Sequence, residues 1–314
     1  MKIAFFGTPD FAVPTLKRLA ETEHTVEVFT QPDRPVGRKA ILTPSPVKEV
    51  ALKLGLPVRQ FEKISSPEGV EAIRSFSPDL FCVVAFGQLF SDEILSIPPY
   101  GAINVHGSVL PKYRGASPVQ QTVIDGCEEA GVSTMLLVKK MDAGDVLEVK
   151  TTPLGRNETF GELFERLSVL GADLFMETLA LLEAGKLTRH PQSEKEATYC
   201  AKLSRESGKI DFANPKKTVH DLIRGTNPWP GAYALLNGEK LKIWRSEAET
   251  DDTVLPEGFE NACPGALFTI GKDDLYVKCK DGLLRLLELQ LPGGKRLTAK
   301  DFLRGHNLEG KILY

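Results

Sequence analysis

The residues KIAFFG at positions 2–7, followed by TPDFA at positions 8–12, decide the fold class. An apolar run of this kind, ending at Gly7 and a turn with Pro9 and Asp10, predicts a buried strand that leads into a helix. Up to about residue 150, similar apolar runs alternate with amphipathic segments. This alternation predicts βαβ units, and therefore a doubly wound α/β domain with a mostly parallel sheet.

The elements predicted for this domain follow from the same periodicities. Strands are predicted at residues 2–7, 26–30, 58–61, 80–85, 102–106, 134–138 and 146–151. Helices are predicted at residues 11–22, 45–54, 69–75, 91–97, 117–125 and 159–184. The turn after the first strand lacks the second and third glycines of a dinucleotide-binding fingerprint, so a dehydrogenase of the Rossmann type is not supported.

A different pattern begins after the long helix. Residues 189–207 are polar and without periodicity, which is typical of a linker. Beyond them, short alternating segments at 232–236, 240–246, 266–270, 275–279 and 283–290 predict a small β-barrel of the oligonucleotide-binding kind. Asn237-Gly238 predicts the first hairpin turn. We therefore expect an N-terminal domain at 1–188, a linker at 189–207 and a C-terminal domain at 208–314.

Composition excludes several classes of protein. The five cysteines and five histidines are scattered, without Cys-x-x-Cys or His-x-x-x-His pairs, so neither a metal site nor a disulfide framework is predicted. No apolar run reaches the length of a membrane span, and the first residues do not have the pattern of a signal peptide. We therefore expect a cytoplasmic protein with no membrane partner.

The charges are unevenly distributed along the chain, although the net charge is only −3. Residues 202–245 carry nine Lys and Arg against four Asp and Glu, and residues 293–314 carry five against two. The remainder therefore has a net charge of −11. A basic C-terminal third indicates either a surface for an anionic partner or an ordinary solvated face, and charge alone leaves both interpretations open.

Two side chains capable of acyl-transfer chemistry lie near the end of a predicted strand. Asn104 and His106 share one face of strand 102–106 because side chains alternate along a strand. An amide and a protonated imidazole can both stabilise an oxyanion, and the imidazole can also transfer a proton. Asn-x-His on a strand, taken alone, favours a hydrogen-bonded structural pair over this functional interpretation.

Asp142 lies in a loop between two later strands, beside Gly144. A carboxylate near an imidazole favours its charged form, so Asp142 is a candidate partner for His106. Spacing alone does not bring the two residues together, and a carboxylate that only bonds the backbone of its own turn is the alternative.

The segment NVHGSVLPKYRGASPVQ at residues 104–120 resembles the 10-formyltetrahydrofolate-dependent formyltransferases. That family combines an Asn, a His and a downstream Asp in an Asp-x-Gly-Asp-like loop, which match Asn104, His106 and Asp142. Its Ser-Leu-Leu-Pro folate loop is similar to Ser108-Val109-Leu110-Pro111, with Val109 in place of the usual leucine. This small apolar change leaves a contact made largely by the backbone undisturbed.

The resemblance implies a reaction and its components. A formyl group would pass from 10-formyltetrahydrofolate to an amine, while Asn104 and His106 stabilise the oxyanion and Asp142 keeps His106 charged. Beside the Ser108-Val109-Leu110-Pro111 loop, the folate would contact Phe86, Gly87, Gln88 and Leu89. The resemblance implies no metal, and a monomer.

Four further segments resemble the family members that formylate the initiator methionyl-tRNA. They are residues 6–11, 30–39, 223–232 and 299–303. The implied partner is tRNA, for which the candidate contacts are Arg34, Arg38, Lys39, Lys209, Lys216, Lys217 and Arg224.

Three alternatives remain open. A glycinamide ribonucleotide formyltransferase shares the three residues, but it is shorter than this chain. A formyltransferase that acts on a UDP-amino sugar has a similar two-domain layout. The basic residues of the loop at 34–39 and of the C-terminal domain favour tRNA over such a sugar as the acceptor. An inactive relative that only binds folate or RNA is the third alternative, which the intact set of Asn104, His106 and Asp142 disfavours.

Overall fold

A computed structural model describes residues 1–37, 40–248, 255–308 and 310–314 of the chain. In its N-terminal part, seven strands form the central sheet. The strands up to residue 200 are β1 (Lys2–Gly7), β2 (Thr25–Thr30), β3 (Arg34–Val36), β4 (Ile41–Thr43), β5 (Val58–Gln60), β6 (Leu80–Val84), β7 (Ala102–His106), β8 (Arg114–Gly115), β9 (Glu129–Leu136), β10 (Val146–Pro153) and β11 (Tyr199–Cys200). The helices are α1 (Val13–Ala20), α2 (Pro46–Lys53), α3 (Pro67–Phe76), α4 (Asp92–Leu95), α5 (Pro118–Ile124) and α6 (Phe160–Glu183).

The sheet order is β10-β9-β7-β6-β1-β2-β5. The five strands from β7 to β5 are parallel, and β9 pairs antiparallel with β7. The doubly wound fold with a mostly parallel sheet is therefore confirmed. Strands β1 and β2 follow the apolar pattern that parallel sheets covered on both faces require, since each has five consecutive buried residues.

An aromatic cluster ties the loop after β6 to the core. The ring of Phe6 on β1 lies 4.8 Å from that of Phe29, 5.3 Å from that of Phe86 and 5.0 Å from that of Phe90, measured between centroids. Each such pair contributes about 0.5–1.5 kcal/mol beyond the burial of its area. The backbone between Phe86 and Phe90 is thereby anchored at both ends, at the carboxyl edge of the sheet.

The C-terminal part of the chain forms a second sheet of antiparallel strands. Its elements are α7 (Lys216–Gly225), β12 (Ala232–Leu236), β13 (Glu239–Glu247), β14 (Leu267–Ile270), β15 (Asp274–Cys279), β16 (Gly282–Gln290), β17 (Leu297–Thr298) and α8 (Ala299–Gly305). The strand order is β12-β13-β16-β15-β14, and β17 pairs with β16. Asn237 and Gly238 join β12 to β13 with φ of 51° and 86°, the positive values that a tight hairpin turn needs.

The last residues of the chain close this second sheet. The amide of Leu235 on β12 donates to the carbonyl of Tyr314 at 2.6 Å, and the amide of Leu267 on β14 donates to the carbonyl of Lys311 at 2.9 Å. Residues 311–314 therefore connect β12 to β14, which turns an open sheet into a barrel around a core of leucine, isoleucine and valine.

The chain divides into two units whose limits differ from the expected domains. The first unit is Met1–Pro118, Ala130–Thr152 and Phe164–Cys200, and the second is Val119–Glu129, Pro153–Leu163 and Ala201–Tyr314. Part of the expected linker at 189–207 thus belongs to the first unit. We call residues 190–200 the strap, because His190 bridges to Val146 and β11 pairs in parallel with β8.

None of the helices in the part of the chain that the structure describes is both long and apolar enough to span a bilayer.

Candidate active site

Asn104 and His106 lie on β7, at the carboxyl edge of the parallel sheet. Asn104 pairs with Val83 on one side and Met135 on the other, so its position is fixed by two neighbouring strands. Both residues are buried, at 9% and 6% exposure. The side-chain amide of Asn104 has no hydrogen-bond partner among the described residues, so its two N–H groups are free to contact a ligand.

Both ring nitrogens of His106 face groups of the first unit. Nε2 lies 2.9 Å from the carbonyl oxygen of Tyr113. Because a carbonyl only accepts, Nε2 carries a proton and donates it. Nδ1 lies 3.9 Å from Oδ1 of Asp142, which is an ion pair when the imidazole is protonated. The structure therefore brings His106 and Asp142 together, which sequence spacing leaves open.

The Asp142 carboxylate is held from a second direction. Its Oδ2 accepts a hydrogen bond from the amide of Gly115 at 2.8 Å. Gly115 has a φ of 122°, and a Cβ at this position would lie 2.2 Å from the carbonyl oxygen of Cys200. Only glycine fits between β11 and the Asp142 carboxylate, so the close approach of this amide depends on the residue type.

The loop that carries Asp142 has a constrained backbone. Asp142 has a φ of 48°, a left-handed conformation that costs most residues energy and that Asp adopts more readily. A Cβ on Gly144 would lie 1.8 Å from the carbonyl oxygen of Leu136, so the loop folds tightly against β9. Asp142 therefore needs contacts that keep its carboxylate directed at His106.

The expected folate-binding residues lie in two loops at the same edge of the sheet. In the loop after β6, the carbonyl of Phe86 accepts from Thr8 and Gln31, and Gly87 has a φ of 81°. Gln88 is turned inward, since its side chain bonds the backbone of Phe61 and Ile64. Leu89, by contrast, is 77% exposed.

The loop after β7 is held from within the sheet. Ser133 Oγ on β9 donates to the carbonyl of Ser108 at 2.8 Å and accepts from the amide of Leu110 at 3.1 Å. The Ser108 hydroxyl donates to the carbonyl of Lys112 at 2.6 Å. The last bond uses the proton of the Ser108 hydroxyl inside the loop, so this hydroxyl can meet a ligand only as an acceptor. Val109 and Pro111 line the same turn.

A set of polar residues that the sequence does not reveal surrounds Asp142. Gln192 in the strap donates Nε2 to the carbonyls of Asp142 and Gly144, at 2.9 and 2.6 Å. Its Oε1 accepts from Nε of Arg114 at 3.0 Å. Arg114 is fully buried, and its Nη1 pairs with Glu194 at 3.0 Å. No local pattern points to these contacts, because they join residues that are 48 to 80 positions apart.

Neighbouring charged and polar groups shift the pKa values of Arg114 and Glu194. Burial acts to lower the pKa of Arg114, but its bonds to Glu194 and Tyr199 outweigh burial and raise that pKa above the usual value. The pKa of Glu194 is lowered by its bonds to Lys140 and then Arg114. Both groups therefore stay charged across the physiological range.

The expected tRNA contacts have different environments. Lys209 and Lys217 are exposed and Lys216 is half-buried, although Lys217 Nζ pairs with Asp221 at 2.7 Å. Arg34 is exposed and bonds Glu62 through both terminal nitrogens, at 2.7 and 3.2 Å. Arg38 and Lys39 lie outside the described residues.

The position of Arg224 corrects the expectation that this residue contacts tRNA. It is 5% exposed, its Nε bonds Asp221 at 2.7 Å, and its Nη1 donates to the carbonyls of Gly155 and Glu158 at 3.3 and 3.1 Å. Its guanidinium therefore holds α7 against residues 155–158 and offers little surface to a phosphate. The basic count of residues 202–245 cannot distinguish this buried arginine from exposed ones.

A cluster of cations around two aromatic rings lies in the second unit. Lys242 Nζ lies 4.8 Å and Arg296 Cζ 4.0 Å from the centroid of the Trp244 ring, and Lys240 Nζ lies 4.1 Å from that of Tyr233. Burial and the neighbouring Arg205, Arg296 and Lys240 lower the pKa of Lys242. The alternation of 240, 242 and 244 along β13 is the one local signal for this cluster.

Models of known families match almost the whole chain. The formyl transferase model matches residues 1–179, and the formyl transferase C-terminal domain model matches residues 202–307. Together they cover most of the residues described above in both units, but neither model includes the strap or residues 311–314.

Curated relatives match over nearly their full length. A methionyl-tRNA formyltransferase of Lachnospira eligens is 46% identical, with 100% of this chain and 99% of that protein covered. One from Geotalea daltonii is also 46% identical, covering 98% and 96%. One from Caldanaerobacter subterraneus subsp. tengcongensis is 42% identical, covering 100% of both.

Solved structures of lower identity share the fold. The sugar 3N-formyl transferase WlaRD has a TM-score of 0.69 at 16% identity, covering 94% of this chain and 99% of that one. HypX from Aquifex aeolicus in complex with tetrahydrofolic acid has a TM-score of 0.64 at 17% identity, covering 96% and 47%. At these identities the likeness concerns the fold alone. The chain therefore belongs to the formyl transferase family, in the group whose curated members are methionyl-tRNA formyltransferases.

Proposed function

We propose that the chain transfers the formyl group of 10-formyltetrahydrofolate to the α-amine of the initiator methionyl-tRNA, in translation initiation. The observation that carries the proposal is the meeting of His106 Nδ1 and Asp142 Oδ1 at 3.9 Å, beside the Asn104 amide, which bonds none of the described residues. Identities of 42% and 46% over the full chain to curated methionyl-tRNA formyltransferases favour this acceptor.

The proposed reaction is an acyl transfer through a tetrahedral intermediate. The amine nitrogen attacks the formyl carbon, and the carbonyl oxygen becomes an oxyanion that the Asn104 amide stabilises. The carbon–nitrogen bond to the folate then breaks, its nitrogen takes up a proton, and the new amide loses one. No redox partner is needed, because the attacking and leaving atoms are both nitrogen.

His106 and Asp142 provide the proton path in this proposal. The Nε2 proton of His106 is already donated to Tyr113, so the nitrogen available to the reaction is Nδ1. An atom off the Nδ1–Oδ1 line, about 2.8 Å from both, can bond the two groups at once. A water at this point would give a proton to Asp142 and take up the proton that the attacking amine loses, so the lone pair of the amine stays available for the attack.

We propose that the folate lies against the loops 86–89 and 108–111. The first is anchored by Phe86 and Phe90 in the core, and the second by Ser133 on β9. Both loops are therefore fixed before a ligand binds. Exposed Leu89 supplies an apolar contact at the open side of the first loop.

For the tRNA we propose two groups of contacts. One comprises the expected residues Arg34, Arg38, Lys39, Lys209, Lys216 and Lys217. The other is the cationic cluster, in which Lys242 and Arg296 lie over the Trp244 ring and Arg205 and Lys240 are the neighbouring cations. Adjacent cations that lower the pKa of Lys242 repel one another, and a phosphate bound between them would relieve that repulsion.

A steady-state comparison of acceptors tests the proposal. Turnover would be measured with 10-formyltetrahydrofolate and either methionyl initiator tRNA or a UDP-amino sugar. The proposal expects formylmethionyl-tRNA and no formylated sugar, and the reverse result would make the chain a sugar formyltransferase. Formylation of neither acceptor would favour an inactive relative.

We also infer that the protein acts as a monomer in the cytoplasm, where aminoacylated initiator tRNA is used. Light scattering on the purified chain would test the monomer, for which the chain mass is 34.5 kDa.

A further inference from the structure

The strap is held to the first unit at both ends, around the loop that carries Asp142. At its start, His190 and Val146 exchange two backbone hydrogen bonds of 2.9 Å. At its end, the amides of Arg114 and Ala116 donate to the carbonyls of Thr198 and Cys200, at 2.9 and 3.1 Å. Residues 191–197 are thereby confined between two fixed points.

Between these points, Gln192 bonds the backbone on both sides of Ala143. One side-chain amide bridges the carbonyls of Asp142 and Gly144, at 2.9 and 2.6 Å. Two carbonyls that converge on one donor fix the orientation of the intervening peptides. This matters at Asp142, because a residue with a φ of 48° keeps that conformation only when its surroundings hold it.

Gln192 is in turn oriented by Arg114. Arg114 Nε donates to Gln192 Oε1 at 3.0 Å, so the opposite end of the amide, Nε2, must face the loop. The guanidinium is fully buried and is fixed by Glu194 and Tyr199 at 3.0 and 3.1 Å. A chain of oriented polar groups therefore runs from the buried guanidinium to the backbone of Asp142.

We propose that Gln192 is a positioning residue for formyl transfer, which acts by holding the backbone of Asp142 so that its carboxylate faces His106. Gln192 does not contact the reacting atoms in this scheme. The inference rests on the proposed function for its kinetic consequence, but its structural consequence can be measured without any substrate.

A double-mutant cycle tests the kinetic consequence. Gln192→Met keeps the length of the side chain and removes both donors. We expect it to lower kcat about 10-fold, with KM for folate and for tRNA within about threefold of wild type, because the change misplaces a group that acts on the bound substrates. In the Asp142→Asn background the same change should lower kcat by less than about twofold, since the group it positions is gone.

Controls separate positioning from general damage. Ser193→Ala alters the exposed neighbour of Gln192 in the strap and should keep the wild-type kcat. Gln192→Asn retains an amide that is too short to reach both carbonyls, and should give an intermediate kcat. An equal reduction of kcat by Gln192→Met in both backgrounds would overturn the proposal.

Amide hydrogen exchange, resolved by residue, supplies the substrate-free test. The Gly115 amide bonds Asp142 Oδ2, whereas the flanking amides of Arg114 and Ala116 bond the backbone of the strap. In Gln192→Met we expect exchange at Gly115 to accelerate about 10-fold and exchange at its neighbours to stay within about twofold. Equal acceleration at all three would mean that the strap detaches, which would contradict a positioning role.

The two readouts also separate this inference from the proposed function. If the wild-type chain formylates no methionyl-tRNA, the proposed function fails, while the exchange at Gly115 still decides whether Gln192 holds Asp142. If the wild type is active and the exchange at Gly115 is unchanged in Gln192→Met, only the present inference fails.

Discussion

At the scale of single residues, Asn104 is distinguished by its free amide. It is buried on a central strand, and its side chain bonds none of the described residues. Buried polar groups are normally hydrogen-bonded in the protein, so this amide is suited to a partner that arrives with the substrate. The side chain of an asparagine with a structural role would instead be hydrogen-bonded within the protein.

Replacing Asn104 with Ala separates these two roles. We expect kcat to fall by about 10² to 10³, because one donor to the oxyanion is removed. The free energy of unfolding should fall by less than about 1 kcal/mol, because no hydrogen bond within the protein is broken. Steady-state kinetics and denaturant unfolding check the two values. Normal turnover together with a large decrease in stability would identify a structural residue instead.

Local sequence predicts the shared face of Asn104 and His106, because it depends only on alternation along one strand. It does not predict that Asp142 meets His106, since that contact depends on the pairing of β7 with β9 and on the tight loop at Gly144. It also does not distinguish Arg224, which is buried, from the exposed lysines near it.

At the scale of elements, α7 is fixed through a buried histidine. Nδ1 of His220 lies 2.9 Å from the Ser246 hydroxyl on β13, and Nε2 lies 3.1 Å from the carbonyl of Arg156. Burial lowers the pKa of His220 below its usual 6.5, although the Arg156 carbonyl and the charge of Asp221 oppose the shift. The neutral ring is therefore the form that the folded protein favours.

This shift predicts a pH dependence of stability. Between its lowered folded pKa and the unfolded value of 6.5, His220 binds a proton in the unfolded chain but not in the folded one. Stability therefore rises with pH through this window, and it declines as pH falls below about 6.5. In His220→Gln the decline between about pH 7 and pH 5 should be smaller.

Urea unfolding at several pH values, on both proteins, provides the measurement. The other four histidines are common to the wild type and the variant, so the difference between the two curves isolates His220. Parallel curves would show that burial of His220 does not contribute to acid sensitivity.

The elements themselves can be predicted to different degrees. β1, β7 and β12 have the expected limits, because each is a short apolar run with clear boundaries. Local sequence does not predict β8 and β11, since each has two residues and gains its stability from a partner more than 80 positions away. The polar strap has the sequence pattern of a linker, because the contacts that hold it in place are made with residues distant in the sequence.

At the scale of the whole molecule, charge is concentrated where the second unit forms its barrel. In the cationic cluster, Lys242 and Arg296 lie over the Trp244 ring, and the charges of Arg205 and Lys240 act on Lys242, in a chain whose net charge is −3. An acidic remainder limits indiscriminate binding of nucleic acid, while a local cluster can retain phosphates.

Neutralising the cationic cluster should weaken the binding of tRNA and leave the binding of folate unchanged. We expect the double variant Lys242→Gln and Arg296→Gln to raise KM for tRNA several-fold. It should also flatten the dependence of tRNA affinity on salt by about one unit of slope for each phosphate that is no longer bound, with KM for folate unchanged. Lys300→Gln is the matched control, because Lys300 belongs to the same unit but pairs with Asp273 at 2.8 Å. An unchanged salt slope in the double variant would exclude the cluster from the tRNA interface.

The central claim is that this chain moves a formyl group from the folate to the methionyl amine of tRNA. The most direct test is a single turnover with excess enzyme and 10-formyltetrahydrofolate labelled with isotope in its formyl carbon. We predict that all the label released from the folate appears on the α-amine of methionyl initiator tRNA, and that none is released as formate. Label recovered as free formate, or unchanged folate in the presence of charged tRNA, would contradict the account.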